Sequence, residues 1–289
     1  QGIWEEFFDN GVLKLKEKYI NNKKNGSHQS YDEFGKLTSR SNYKDDQMHG
    51  IFELFENGIY VQHGKKIGGQ YDGLITYYIE GRKSEEVTYK LGKKHGKYIK
   101  YTDKPCKINF KGQTRLEGLS ADRYEECPLY LFNYEEDRTH GPFLFVNNVV
   151  GTNYFYQVGN IKNEEFDGPL ITYRRDGSVK EKVNYKEGKK NGNHEIFDEY
   201  DDKVFIKKST SYKDDLRHGL YFENCKCNRV DKWCLENENK FEQTGYYKDG
   251  LKDGEFIKIN CRKKERPQTK LETYKNGRRH GKVLTSVGS

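Results

Sequence analysis

The sequence predicts an all-β fold: an elongated, curved, single-layer antiparallel meander of about eleven hairpin repeats. Three observations carry this expectation. A word of the form Tyr-x6-Gly recurs through the chain, at Tyr19–Gly26, Tyr43–Gly50, Tyr89–Gly96, Tyr134–Gly141, Tyr185–Gly192, Tyr212–Gly219, Tyr247–Gly254 and Tyr274–Gly281. Aromatic or apolar residues recur at the second and fifth positions after the closing glycine. Turn signals come twice per repeat.

The word sets the period. Gly26, Gly50, Gly73 and Gly96 succeed one another at 24, 23 and 23 residues, and later repeats stretch to as many as 35. A fixed period of this length marks a quasi-one-dimensional array in which each unit contacts only its neighbours. The copies ending at Gly73, Gly118 and Gly168 lack the tyrosine and are placed by spacing and by the residues after the glycine. The strands come next. Trp4 and Phe7, Phe52 and Phe55, Tyr98 and Tyr101, and Leu170 and Tyr173 stand among polar neighbours. Turn signals interrupt these runs too soon for a helix, which needs its apolar stripe over ten or more residues. Within the word the first turn is the x-Gly pair; the second comes after the aromatics at Asp9-Asn10-Gly11, Glu56-Asn57-Gly58 and Arg175-Asp176-Gly177. Asn-Gly and Asp-Gly accept positive φ at both central positions, as a type I′ hairpin requires. Two reversals in some two dozen residues leave two strands of ordinary length per repeat.

Immediately before the closing glycine stand His49, His95, His140, His218 and His280, or Asn25, Asn191, Asp167 and Asp253. Interchange among His, Asn and Asp points to a local backbone hydrogen bond or a left-handed conformation, not to five catalytic histidines.

With Tyr-Lys-Leu-Gly-Lys-Lys-His-Gly-Lys-Tyr at 89–98 as its clearest copy, the chain resembles the MORN (membrane occupation and recognition nexus) repeat family, in the variant form also seen in bacterial antitoxin-like proteins. The resemblance runs from Gly2 to Gly281. It departs from the family pattern where Phe52, Ile75, Tyr98 or Phe256 stands in place of a second glycine. The resemblance implies a single curved sheet with an aromatic face, a scaffold or adaptor role, membrane association for some members, and no catalysis by the repeats.

Composition fits a one-layer sheet. Only 33% of residues are hydrophobic and 34% are charged, which by itself would suggest disorder. The 23 tyrosines and 16 phenylalanines override that, because an aromatic stripe on one face buries large areas while tyrosine hydroxyls stay in water. There is no apolar run long enough for a transmembrane helix and no signal peptide. Residues 1–289 are read as one array with a cysteine-containing insertion at about 224–241. No polar cap is visible at either end, so the chain is expected to belong to something longer or to pair its terminal strands with a partner.

The net charge is +7. Lys23 and Lys24, Lys65 and Lys66, Lys93 and Lys94, Lys189 and Lys190, and Arg278 and Arg279 are expected at equivalent turns, forming a cationic ridge along one edge. Such a ridge fits an anionic membrane or an acidic protein; the alternative is a set of solvated lysines that discourage edge association. Nucleic acid is disfavoured because no recognised binding motif is present. Cys225, Cys227, Cys234 and Cys261 are expected to share one edge, with Cys106 and Cys127 as a second pair. Disulfides or free thiols are preferred to zinc, since C-x-C-x6-C is not a standard zinc spacing.

No phosphate loop, dinucleotide fingerprint, zinc-protease motif or nucleophile elbow occurs, so neither an enzyme nor a cofactor is expected. The expected function is a non-catalytic scaffold binding other proteins along its sheet, with a structural component of a virion as its specific form. The alternatives are a peripheral membrane module acting through the ridge, and an accessory domain of an enzyme whose catalytic part lies elsewhere.

Overall fold

The computed structural model describes residues 1–102, 128–147, 155–200, 203–224, 241–259 and 268–287. Every regular element among them is a β-strand, and every strand pairing is antiparallel. The chain divides into two compact units. The first contains the described residues up to 147 and the second those from 155 onward, and each is a meander of consecutive hairpins.

The Tyr-x6-Gly word folds as a tight hairpin tip. In the first copy Tyr19 faces Lys24 and Ile20 faces Lys23 around an Asn21-Asn22 turn. Both turn residues have positive φ, 51° and 60°. Ten such two-residue turns are described, from Asn21-Asn22 to Asn276-Gly277. They are type I′, whose twist matches that of the flanking strands. The copies ending at Gly73 and Gly168 turn in the same way, at Gly68-Gly69 and Asn163-Glu164, although they lack the tyrosine. The copy ending at Gly118 lies outside the described residues.

The second turn of the repeat has two forms. Asn57-Gly58 is type I′ as expected, with φ of 52° and 83°. The turns at 9–11 and 175–177 are not. There only Gly11 and Gly177 have positive φ, and the loop closes through Gly11 N–H to Phe8 C=O (2.9 Å) and Gly177 N–H to Arg174 C=O (3.0 Å). Asn10 and Asp176 turn their side chains back instead, their Oδ1 atoms accepting from the Val12 and Ser178 amides at 3.0 and 2.8 Å. The extra loop residue moves the left-handed position onto glycine alone. The Ser178 amide, with burial opposing it, also holds the Asp176 carboxyl below its ordinary range.

The register assigns the closing glycine a role between repeats. Gly26 faces Tyr43 of the next word, and the same pairing joins Gly2 to Tyr19, Gly73 to Tyr89, Gly96 to Tyr134, Gly168 to Tyr185, Gly192 to Tyr212, Gly219 to Tyr247 and Gly254 to Tyr274. Within its own hairpin each glycine falls where the ladder slips, as between Glu17–His28 and Tyr19–Lys24. Its φ, +114° at Gly26, is one that a residue with a Cβ rarely adopts. The left-handed conformation expected of the preceding His, Asn or Asp therefore sits on the glycine.

Side chains alternate between faces along a strand. The second residue after the glycine lies on the face of the word tyrosines and forms the core there, with Phe52, Ile75, Phe143, Tyr221 and Phe256 buried. The fifth residue falls on the opposite face, so the two positions do not make one stripe. Phe55, Tyr60, His63 and Tyr78 cluster on that opposite face, with Phe55 and Tyr60 centroids 4.6 Å apart and the Tyr78 hydroxyl 3.2 Å from His63 Nδ1. Both faces thus carry aromatics, near opposite ends of the strands.

Two glycines inside strands admit this packing. An alanine Cβ at Gly64 would lie 2.3 Å from Ile75 Cδ1, and one at Gly245 would lie 2.4–2.6 Å from three ring atoms of Phe256. Neither glycine has positive φ; each is there so that a neighbouring core side chain can lie across its backbone.

Candidate interaction surfaces along the turn edge

Successive word turns are tied to one another by the main chain. The amide of the second turn residue donates to a carbonyl of the preceding repeat: Asp46 to Lys24 (3.0 Å), Gly69 to Met48 (2.8 Å), Gly92 to Tyr71 (2.8 Å) and Asp137 to Lys94 (2.9 Å) in the first unit. The second unit repeats this with Gly188 to Phe166, Asp215 to Lys190, Gly250 to Arg217 and Gly277 to Lys252, at 2.8–3.0 Å. Where the donor residue is Asp, its carboxylate returns the bond, accepting from the Lys24, Lys94 or Lys190 amide at 2.7–2.8 Å.

The residue before the closing glycine makes a further link of this kind. Asp72 and Asp167 accept from the first turn amides of the next repeat, Leu91 and Glu187, at 3.4 Å. His218 Nδ1 lies 3.4 Å from the Asp249 amide and 3.1 Å from its carboxylate. At Asp72, Asp167 and His218 the side chain thus reaches to the neighbouring repeat. The expected local backbone bond is also present, the amides of Asp72, His140, Asp167, Asp253 and His280 donating to carbonyls of their own hairpins at 2.7–3.0 Å.

The expected cationic ridge divides in two. Consecutive residues point to opposite faces, so Lys23, Lys93, Lys189 and Arg278 stand exposed on the face away from the tyrosines, while Lys24, Lys94, Lys190 and Arg279 lie on the tyrosine face. Lys24 lies over Tyr43 (5.5 Å to the ring centroid), Lys94 over Tyr134 (5.1 Å) and Tyr98 (5.6 Å), and Lys190 over Tyr212 (5.4 Å). Arg217 and Lys252 do the same with Tyr247 (5.2 Å) and Tyr274 (4.7 Å). Each lysine stem covers apolar ring surface while its ammonium gains about 0.5–1 kcal/mol from the ring, a bridge from one repeat to the next. Arg279 instead approaches Glu272 at 3.7 Å, and Lys93 approaches Glu136 at 3.6 Å.

Lys65 and Lys66 do not belong to the turn position assigned to them. Lys66 occupies the site of the missing word tyrosine, facing Gly50 on one side and Tyr71 on the other. Tyr71 takes the usual lysine site, so cation and ring have exchanged places and still meet at 4.6 Å. Lys65 lies 3.8 Å from Asp72. All six cysteines singled out, Cys106, Cys127, Cys225, Cys227, Cys234 and Cys261, lie outside the described residues. Among the described residues no cluster of His, Cys, Asp and Glu has the geometry to hold a metal ion.

The sequence reading missed one polar cluster on the tyrosine face. Glu17, with its side chain only 4% exposed, accepts hydrogen bonds from Lys24 Nζ (2.5 Å) and the Tyr19 hydroxyl (2.7 Å), and lies 2.7 Å from His28 Nδ1. Burial pushes its carboxyl up, but the hydrogen bonds of Lys24, Tyr19 and His28 outweigh burial and hold it below the ordinary range. His28 stands at the second position after a glycine, where other repeats carry Phe52, Ile75 or Phe256. His194 is its counterpart in the second unit, 2.6 Å from Glu181, and that bond lowers the Glu181 carboxyl against burial. Burial raises the tyrosine hydroxyls among the rings, that of Tyr98 to about 12, so these remain neutral hydrogen-bonding groups at physiological pH.

On the opposite face, residues just after the closing glycine stand out from the sheet in several repeats, as Ile3, Ile51, Leu74 and Leu220 do. No described helix is long and apolar enough to cross a membrane. The sequence matches no protein-family model and no curated protein.

Proposed function

We propose that this chain is a non-catalytic scaffold of MORN-like repeats that binds other proteins along its sheet, with a structural role in a large assembly such as a virion as its specific form. The observation that supports this reading most is the recurrence of exposed apolar residues on the face away from the tyrosines, at Ile51 (64% exposed), Leu74 (49%) and Leu220 (68%). These residues share one register position in their repeats, and large apolar side chains held out from a folded sheet are available for contact with a partner. The stacked turns and lysine-covered rings supply rigidity within each unit, so a partner meets preorganised side chains.

A peripheral membrane module is the competing reading. The placement of Lys24, Lys94 and Lys190 over rings favours the scaffold, because these ammonium groups are directed toward the sheet and not outward. Sedimentation with anionic vesicles, compared with a chain carrying Lys93→Glu, Lys94→Glu, Lys189→Glu and Lys190→Glu, separates the two: salt-sensitive binding lost on reversal would favour the membrane. The scaffold reading itself is tested by capture from the native source on the immobilised chain. The protein so identified is then purified and titrated against the chain. Saturable binding is expected, and failure of every captured protein to bind in purified form would overturn the reading.

A further inference from the structure

In the second unit the residue after each word tyrosine and the residue across the turn from it form a row on the face away from the tyrosines. Lys186 faces Lys189, Lys213 faces Leu216, Lys248 faces Leu251 and Lys275 faces Arg278. Eight consecutive strand positions thus carry six exposed cations and two leucines, and the preceding hairpin of the unit, whose word lacks the tyrosine, borders them with Lys162 facing Glu165. None of Lys186, Lys189, Lys213, Lys248, Lys275 and Arg278 has an ion-pair partner among the described residues. Lysines elsewhere in the unit do, as Lys207 with Asp198 (3.0 Å) and Lys270 with Glu272 (2.9 Å). Like charges directly opposite one another, as at Lys186–Lys189 and Lys275–Arg278, destabilise a sheet, so the fold itself gives no reason for them.

Apolar residues sit in the middle of this row. Leu216 and Leu251 are 52% and 50% exposed, and just inward Leu220 (68%) faces Tyr246 (40%) across adjacent strands. Three acidic residues of the neighbouring turn tips are engaged by the turn edge, while Glu187 stands exposed at the tip between Lys186 and Lys189. Asp215 caps the Lys190 amide, Asp214 meets Asn191 at 3.5 Å, and Asp249 meets His218. The first unit lacks the pattern: its corresponding row mixes Ile20, Gln47, Ile67, Gln70 and Glu135 among fewer cations.

We infer that this row is the docking site for an acidic segment of a partner protein, lying extended across the strands with apolar side chains at its centre and carboxylates on both flanks. The inference rests on the scaffold reading and names the class of partner. Charge complementarity carries it: a cationic row with an aromatic and aliphatic centre matches an anchor surrounded by carboxylates. Eight strands about 4.8 Å apart span roughly 34 Å, the reach of about ten extended residues. A flat anionic bilayer fits less well, because Glu195 and Glu255 share this face farther from the turns.

The probe is a fluorescein-labelled peptide of about ten residues, with Phe-Leu at its centre and glutamates on both sides. Fluorescence polarisation with the full chain is expected to show saturable binding that weakens as salt rises. Lys213→Glu with Lys248→Glu, and separately Leu220→Ala with Tyr246→Ala, should each weaken binding by at least about tenfold, circular dichroism confirming the fold. Reversal of Lys23 and Lys44 in the first unit should leave binding unchanged. No binding, binding that survives the Lys213 and Lys248 reversal, or equal binding by a glutamine-for-glutamate peptide would overturn the inference. So would binding only to phosphatidylserine vesicles or to single-stranded DNA, run in parallel. If a captured partner binds the wild type and the reversed chain equally, the scaffold reading stands and this site fails. If no partner binds either, the scaffold reading fails as well.

Discussion

Substitution of Gly245 by alanine should destabilise the protein, although the backbone there would tolerate it. Gly245 is extended, so removing glycine's freedom in the unfolded chain would by itself stabilise by about 0.4–1 kcal/mol. The added Cβ meets Phe256 Cδ1, Cε1 and Cγ at 2.4–2.6 Å, where carbons rest at about 3.5–4.0 Å, so the ring must retreat by roughly 1 Å. It has little room to do so. Phe256 is 2% exposed and is held edge-on by Tyr247 (5.4 Å, 90°) and Tyr274 (5.4 Å, 74°). Overpacking of this kind costs about 1–3 kcal/mol, and at about 2 kcal/mol for a ring held on two sides the net loss is about 1–1.6 kcal/mol. Urea titration followed by circular dichroism measures it, with hydrogen exchange of 241–248 and 268–275 reporting the local effect should the array not unfold in one step. Phe256→Leu relieves the clash, so the double variant should be more stable than the sum of the two single effects, with a coupling of about 1 kcal/mol. A neutral or stabilised Gly245→Ala chain, or strict additivity, would refute the packing argument.

Three further outcomes are expected. Glu17 has a folded pKa below its ordinary 4.5, so its contribution is complete above that pH and lost as pH falls through the lower folded value. Glu17→Gln should lose about 2 kcal/mol at neutral pH and show a shallower decline of stability below pH 4.5 than the wild type. Leu91 holds φ of +48° in an exposed turn, a conformation that costs a leucine about 1–2 kcal/mol, so Leu91→Asn should raise the melting temperature. Asp215→Asn keeps the positive φ and an acceptor for the Lys190 amide and should be nearly neutral, whereas Asp215→Ala should cost about 1 kcal/mol, measured as a shift in urea midpoint.

The hairpin meander was legible because the word states it twice, through its period and through Asn-Gly or Asp-Gly pairs that only a tight turn explains. What stayed hidden was mostly a matter of facing. Lys93 and Lys94 are adjacent in sequence and look alike, yet alternation sends one to solvent and the other onto Tyr134. The second and fifth positions after a glycine seemed one stripe for the same reason, although an odd spacing separates them by face. Lys65 and Lys66 were misplaced because the letters match the lysine pair of other words; alignment on Gly73 puts Lys66 in the tyrosine site. Asp9-Asn10-Gly11 and Asn57-Gly58 read alike, and loop length alone decides which residue takes the left-handed conformation. Glu17 and His28 meet across a turn whose slipped register no local pattern announces. His28 did leave a trace, as a polar residue where other repeats carry a core side chain. Gly245, between Thr244 and Tyr246 in a strand, was a similar trace of a close approach.

Binding along the sheet, and not in a pocket, is the property on which the proposed function depends. Hydrogen–deuterium exchange of the chain with and without a purified partner tests it most directly. Protection is expected at corresponding positions of several consecutive repeats, strongest around 213–220 and 246–251. Protection confined to one loop, or none despite saturable binding, would contradict it.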